Sequence, residues 1–353
     1  MAGIRALERS DLPQVSTLFA QVMGGAPAER VAPYLQRILF DDPWADPEIP
    51  SLVHSSPEGG IVGFIAASTR RMVVDGRKVR MAVSSNLVAH PDARASGVGA
   101  LLNRKLLAGP QEFTLADRAN DDSRDLWLRL GGQELTGGSV AWFRVLRPGA
   151  TATSLVGRRR PGLARSAGFL TRPVDAVSAR FTPAVARTAG TTEELTPEVL
   201  AEQVAAAGRR LRLRPDYDPA WLTWAFDEIR GLGRGDLTAR LVRNTNGRVL
   251  GWFLYLLQPG GVAEVLQVGI AGTDADPVLD HLIASADAAG AGAVQGRLEP
   301  CTAGLIGRPG VVVRKNARSL VHAEAAVLGL LGSTTSLCSH LDGEWLVSHA
   351  ARQ

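Results

Sequence analysis

The run Arg94-Ala95-Ser96-Gly97-Val98-Gly99 contains residue types that can hold a phosphate group. It follows a strand-like apolar stretch, and the apolar residues after it, up to residue 106, recur at helical spacing. The first turn of a helix has backbone N–H groups without intrahelical partners, and the helix dipole adds partial positive charge there. Gly97 and Gly99 would let phosphate oxygens approach the backbone, and Arg94 adds a planar cation. The run therefore predicts a loop that binds a pyrophosphate.

The elements before this loop bear on which cofactor it would bind. Asp75-Gly76 is typical of a hairpin turn and joins two predicted strands, 61–74 and 77–88. A dinucleotide site instead places its glycine-rich turn after the first strand of a βαβ unit, with an acidic residue about 20 residues later. The antiparallel hairpin therefore disfavours a dinucleotide. A simpler alternative stays open, in which Gly97 and Gly99 only allow a tight turn and close packing, because the chain has 38 glycines.

The stretch from Ala89 to Leu102 resembles the coenzyme A loop of the GNAT superfamily of N-acetyltransferases. That loop has Arg or Gln, two residues, Gly, one residue, and then Gly or Ala. The family's next motif begins with Asn, and the chain is similar to it at Asn120, Ser123, Leu126 and Gly131. The resemblance covers residues 1 to about 147. Segments 117–144 and 341–345 are also similar to poorly characterised bacterial tandem GNAT proteins.

This resemblance implies an acyl-coenzyme A cofactor, acetyl-CoA or another acyl-CoA. It implies that the strand ending near Leu87 and Val88 pairs with the pantetheine arm and offers an N–H to the thioester oxygen, where it would stabilise a developing oxyanion. An amine of the acceptor would attack directly, without a covalent enzyme intermediate. The residues expected to bind the coenzyme are Leu87, Val88, Ala89, Arg94, Ala95, Ser96, Gly97, Val98, Gly99, Ala100, Asn120, Ser123 and Trp127.

Two positions depart from the family's pattern and affect the proton transfers. Trp127 stands where the family usually has a tyrosine acid, and an indole N–H can donate a hydrogen bond but cannot supply a proton near neutral pH. The third predicted strand lacks a glutamate and has Ser-Ser-Asn at 84–86. Asp117, at the end of a strand beside the expected cleft, is the candidate base. Its alternative role is to cap the helix that begins near residue 120. The candidate catalytic residues are Asp117, Leu87 and Asn86.

A chain of 353 residues is long for one core, so two domains are expected. Gly251 and its neighbours echo Gly63 and its neighbours 188 positions earlier, which indicates an internal repeat. We expect an α+β fold with two GNAT-like domains, each a mixed, mostly antiparallel sheet flanked by helices. The predicted boundaries are an N-terminal domain with the acyl-CoA loop at 1–148, a basic linker at 149–190 and a degenerate C-terminal copy at 191–353. The C-terminal copy has no Arg and no Gly pair at 271–276, so we predict that it binds no coenzyme.

Composition limits the function classes. The net charge is +4, no apolar stretch approaches the roughly 18 residues of a membrane span, and two cysteines without metal-ligand spacing suit a reducing cytoplasm. The hypothesis that follows is an acyl-CoA-dependent N-acyltransferase, acting on a small-molecule amine, with no metal and no membrane partner. Two alternatives remain. One is transfer from aminoacyl-tRNA, with phosphates bound by the arginine-rich residues 158–187 and 209–214. The other is a non-catalytic acyl-CoA-binding protein.

Overall fold

A computed structural model describes residues 3–24, 27–148, 184–186, 188–258 and 261–347. The strands are β1 Gly3–Ala6, β2 Leu52–Ser55, β3 Ile61–Val74, β4 Arg77–Ala89, β5 Phe113–Ala119, β6 Gln133–Glu134, β7 Val140–Val145, β8 Thr191–Glu194, β9 Leu213–Pro215, β10 Asp236–Arg243, β11 Val249–Leu257, β12 Val262–Ile270, β13 Ala293–Arg297, β14 Val311–Lys315 and β15 Arg318–Ala323. The helices are α1 Leu12–Met23, α2 Ala28–Leu39, α3 Pro91–Arg94, α4 Val98–Leu107, α5 Asp121–Arg129, α6 Pro197–Ala206, α7 Pro219–Gly231, α8 Asp276–Ala288 and α9 Ala325–Leu331.

The chain divides into two compact units, and neither is one continuous segment. The first comprises the described residues within Met1–Thr136, Gly208–Ala225 and Ala317–Gln353. The second comprises those within Gly137–Ala207 and Phe226–Asn316. Each unit contains one mixed sheet with flanking helices, which confirms the predicted α+β class. The units differ from the continuous segments expected from the sequence, because a strand's periodicity does not identify the strand beside which it pairs.

The sheet of the first unit has the order β1-β2-β3-β4-β5-β15-β6, with β9 paired to the far part of β3. Its neighbours are antiparallel except β4 and β5, which are parallel. Helix α4 packs on one face through Val98, Leu102 and Leu106. Gly63 of β3 permits this packing, because a Cβ there would run into Val98 and Leu102. The helix therefore packs close to the sheet, and its first turn lies beside the end of β4.

Strands β7 and β15 account for the discontinuity of the units. Residues 139–145 lie within the N-terminal domain expected at 1–148, yet β7 belongs to the second sheet, between β13 and β14. The outer edge of β5 is instead paired with β15, with Val321 opposite Leu115. Both partnerships join residues far apart in the sequence, and pattern alone carries no information about them.

The second unit repeats the arrangement of the first. Its sheet has the order β14-β7-β13-β12-β11-β10-β8, with β12 and β13 parallel. A Cβ on Gly251 of β11 would run into the backbone oxygen of Gly269 on β12 and would also meet Val278 of α8. The repeated glycine therefore lies where a helix packs on the sheet in both units, and in the second unit it also allows close approach of the neighbouring strand. None of the helices in the described ranges is long and apolar enough to cross a bilayer.

Candidate functional site

Strands β4 and β5 diverge after a short paired stretch. In the described chain they pair only where Met81, Ala82 and Val83 face Phe113, Thr114 and Leu115. Beyond these pairs β4 continues through Ser84–Ala89, and β5 continues through Ala116–Ala119. We call the gap between these two strand ends the wedge. Backbone groups of β4 along this gap are available to a ligand that enters it, whereas the N–H of Arg118 on β5 is bound by the carboxylate of Glu344.

A bulge in β4 lies at one side of the wedge. Phe64 pairs with Val88 and Ala66 pairs with Ser85, so β4 contains one extra residue between these pairs. Within it Asn86 has a φ of 51°, in the left-handed region. Such bulges redirect side chains and end regular pairing. The Asn86 amide Nδ2 donates to the carbonyl oxygen of Val347 at 2.8 Å.

The predicted phosphate loop forms a helix start beside this bulge. Gly97 caps α4 with φ of 74° and ψ of 20°. A Cβ on Gly97 would meet no atom within 4 Å, so the backbone conformation requires the glycine and packing does not. The first-turn N–H groups, including those of Val98, Gly99 and Ala100, lack intrahelical partners. Gly99 lies next to Leu87, whose Cδ2 is 3.6 Å from the position of a Cβ there. The loop and the bulge are therefore adjacent.

Two side chains of this loop have defined contacts. Arg94 is exposed, and its Nε donates to the carbonyl oxygen of Ala89 at 3.3 Å. No ion pair to Arg94 is found within the described ranges. Ser96 donates its hydroxyl proton to the carbonyl oxygen of Ala93 at 3.0 Å. The guanidinium is thus attached to the end of β4 through one nitrogen, and its remaining N–H groups are free to bind an anion.

Asp117 holds a distant segment of the chain. Its side chain is 1% exposed, and its Oδ1 accepts the backbone N–H of Glu344 at 2.8 Å. Ala116 packs with Leu107 of α4 and Trp127 of α5 on one face of the sheet. Successive side chains of a strand alternate between faces, so Asp117 points to the opposite face. The alternative role proposed for Asp117, capping α5, belongs to Asn120, whose Oδ1 accepts the N–H of Ser123 at 2.8 Å.

The other residues predicted to bind the coenzyme lie in the same unit. Trp127 belongs to α5 and is 2% exposed, and its side chain packs in the core beside Ala116 and Leu320. Asn120 and Ser123 form the start of α5, and their contact with a coenzyme stays a prediction. Of the arginines considered for RNA, Arg212 pairs with Asp75 at 2.6 Å, while residues 158–183 lie outside the described part of the chain. The described residues hold no group of three His, Cys, Asp or Glu suited to a metal ion.

Glu344 is the functional candidate that the sequence reasoning missed. Its carboxylate accepts the backbone N–H of Arg118, and the residue is 6% exposed. Burial and the neighbouring carboxylate of Asp117 raise the pKa of Glu344 to about 8. The only sequence signal was the Leu-Asp-Gly-Glu-Trp stretch at 341–345, which resembles the tandem proteins but does not indicate a partner.

The second unit has a comparable divergence, occupied differently. Strands β12 and β13 pair over Val262–Glu264 and Ala293–Gln295 only, within the described residues. Beyond this pairing, Cys301 of the turn Pro300–Leu305 donates its thiol to the carbonyl oxygen of Val268 at 3.5 Å. In the second unit Cys301 therefore binds a backbone carbonyl of β12. The corresponding edge in the first unit is the part of β4 that borders the wedge.

The molecule as a whole is similar to several solved structures. A probable N-acyltransferase from Enterococcus faecalis V583 is 11% identical, with a TM-score of 0.60 over 92% of this chain and 73% of that one. A GCN5-related N-acetyltransferase from Kribbella flavida is 16% identical, with a TM-score of 0.56 over 91% and 71%. The N-myristoyltransferase of Saccharomyces cerevisiae with bound myristoyl-CoA is 10% identical, with a TM-score of 0.50 over 91% and 79%. No family model and no curated protein sequence matches the chain. At these identities the similarity establishes the fold.

Proposed function

We propose that this chain, whose fold is that of the GCN5-related N-acetyltransferases, is an acyl-CoA-dependent N-acyltransferase. The observation that carries the proposal is the wedge between β4 and β5, with the first turn of α4 beside it. An extended ligand with amide groups can pair with the open edge of β4, while its phosphates meet the N–H groups of α4. Coenzyme A has both parts, a pantetheine arm and a pyrophosphate.

The roles follow from this placement. The N–H groups of Val98, Gly99 and Ala100 and the guanidinium of Arg94 bind the pyrophosphate. The backbone of Leu87 and Val88 pairs with the pantetheine, and the N–H of Leu87 polarises the thioester oxygen. The amine of a small molecule attacks the thioester carbon directly, and the acyl group is acetyl in the simplest case. The two cysteines of the sequence, Cys301 and Cys338, have no metal-ligand spacing, which suits a reducing cytoplasm.

Titration calorimetry with coenzyme A and acetyl-CoA tests the binding step. In Arg94→Glu we expect affinity to fall at least about tenfold, because an attraction to the pyrophosphate becomes a repulsion. Arg104→Glu on the exposed side of α4 is the matched control, with the same charge change one or more turns from the helix start. Equal affinities of wild type and both variants, or no binding by wild type, would refute the proposal.

A thiol-release assay tests the transfer step. Acetyl-CoA is mixed with benzylamine, tyramine, spermidine or glucosamine, and free coenzyme A is followed with a thiol reagent. Acetylation of the amine, identified by mass spectrometry, supports the transferase. Tight coenzyme binding without acetylation of any amine would instead favour a binding protein, and RNA that co-purifies and dissociates steeply with salt would favour the aminoacyl-tRNA alternative.

A further inference from the structure

We propose that Glu344 is the proton acceptor of the acyl transfer and that Asp117 positions it. The proposal rests on the proposed function, and it assigns the side chain that takes the proton from the attacking amine. Glu344 belongs to the C-terminal segment 339–347, which is remote in sequence from every residue of the phosphate loop.

The C-terminal segment contacts both sides of the wedge. On the β4 side, the carbonyl oxygen of Val347 accepts the Asn86 amide at 2.8 Å. On the β5 side, the N–H of Glu344 donates to Asp117 at 2.8 Å, and the carboxylate of Glu344 accepts the N–H of Arg118. Helix α2 adds a fourth hydrogen bond, from the hydroxyl of Tyr34 to the carbonyl oxygen of Leu346 at 2.8 Å. The segment is therefore fixed where the two strands separate.

The position of Glu344 suits a group that meets the acceptor. Helix α4 and its phosphate loop lie on one face of the sheet, with Ala116. Asp117 faces the other side, and Glu344 is bound to it. A coenzyme held from the α4 face, with its thioester oxygen at the N–H of Leu87, would present the thioester in the wedge, beyond the last β4–β5 pair of Val83 and Leu115. An amine that arrives from the opposite face then meets the thioester beside Glu344.

The carboxylate of Glu344 has capacity for a proton. Within the described ranges its carboxylate accepts the backbone N–H of Arg118 and, more weakly, that of Asp117, and no ion pair to Glu344 is found. Its closest charged neighbours are the Asp117 carboxylate and the Arg118 side chain of β5. In its own segment Asp342 is held by Tyr217 at 2.5 Å and by Ser339 at 2.8 Å, with the cation of Arg70 nearby. Two buried carboxyl groups close enough to repel each other favour keeping one proton between them.

The reaction balances with this pair alone. The nitrogen lone pair of the amine forms the new bond to the thioester carbon, and the nitrogen's proton goes to the carboxylate of Glu344. The C–S bond then breaks with its electron pair on sulfur. The thiolate of coenzyme A leaves as such or takes a proton back from Glu344. A group that binds a proton near neutral pH can both accept the proton of the amine and return one to the thiolate.

Steady-state kinetics of Glu344→Gln test the role. Glutamine keeps the size and the acceptor for Arg118, so we expect kcat with the best amine of the panel to fall at least about 100-fold. The affinity for acetyl-CoA should stay within about twofold, because the phosphate loop is intact. Glu112→Gln, just before the same strand β5, is the matched control and should keep wild-type kcat.

The dependence of kcat on pH in Asp117→Asn distinguishes two roles for Asp117. One is to position Glu344 and influence its ionisation, and the other is only to hold the C-terminal segment in place. Removing the like charge lets Glu344 ionise more easily, so the rising limb of kcat against pH should shift to lower pH. A wild-type midpoint in Asp117→Asn, or Glu344→Gln with at least one third of wild-type kcat, would overturn the inference and leave the transferase standing. Absent coenzyme binding or absent acetylation by wild type would sink the proposed function itself. If Glu344→Gln does not fold, the Asp117→Asn profile decides.

Discussion

The carboxylate of Asp117 accepts the backbone N–H of Glu344 across 227 positions of sequence, at 2.8 Å. Gly343 allows this approach, because a Cβ there would run into the Asp117 carboxyl group. The C-terminal segment is thus fitted closely to β5 at the point where β5 leaves β4. This contact places two acidic side chains in one buried site.

The stability of the fold should depend on pH through Glu344. Its pKa is raised from 4.5 to about 8, so the native state binds a proton that the unfolded chain releases. The free energy of unfolding should therefore fall as pH rises above 4.5 toward about 8. Urea unfolding at pH 5.5 and 8.5 measures the difference, and Glu344→Gln should reduce it. An unchanged difference in the variant would contradict a proton held by Glu344.

Filling Gly63 should weaken both the fold and coenzyme binding. Gly63→Ala places a methyl group against Val98 and Leu102, so α4 must shift away from the sheet. We expect a loss of about 1–3 kcal/mol in stability and a lower affinity for coenzyme A. Gly60→Ala is the control, since its Cβ would meet only Ser56 Oγ at 3.8 Å. Thermal unfolding and calorimetry measure the two effects, and equal behaviour of both variants would argue against the packing role.

The two loop glycines should respond differently to the same substitution. Gly97→Ala forces a left-handed residue and should cost about 1–2 kcal/mol of stability, because its φ is 74°. Gly99→Ala has ordinary contact distance to Leu87, 3.6 Å, and should fold normally. Its methyl group would still obstruct phosphate at the helix start, so coenzyme affinity should fall. Wild-type affinity in Gly99→Ala would show that phosphate does not approach there.

Removing one hydroxyl should destabilise the C-terminal segment. The hydroxyl of Tyr217 donates to Asp342 at 2.5 Å, and burial raises the pKa of that carboxyl. Tyr217→Phe leaves the fully buried Asp342 with fewer donors, so we expect a loss of about 1–3 kcal/mol in urea unfolding. Tyr217 also stacks with Trp221 at 5.5 Å, and phenylalanine keeps that contact. A change below about 0.5 kcal/mol would mean that the hydrogen bond adds little net stability.

Local features of the candidate site could be predicted because short-range physics determines them. Asp75-Gly76 indicated the hairpin of β3 and β4, and the helix after Gly97 followed from the apolar spacing of 98–106. The wedge could be expected only through the resemblance to a known fold. Asp117 was proposed as a candidate base at a strand end, but its hydrogen-bond partner Glu344 was not predicted.

By itself the sequence indicated most of the helices and strands, the helix that begins near Gly97 and the repeat that relates Gly63 to Gly251. These depend on the spacing and conformational freedom of residues close together in the chain. Only the tertiary structure decided that β15 flanks β5, that β7 joins the second sheet, and that Glu344 meets Asp117. Such contacts form because burying apolar surface and pairing strand edges lower the free energy of the whole chain, and residues separated by hundreds of positions carry no local pattern that names their partners.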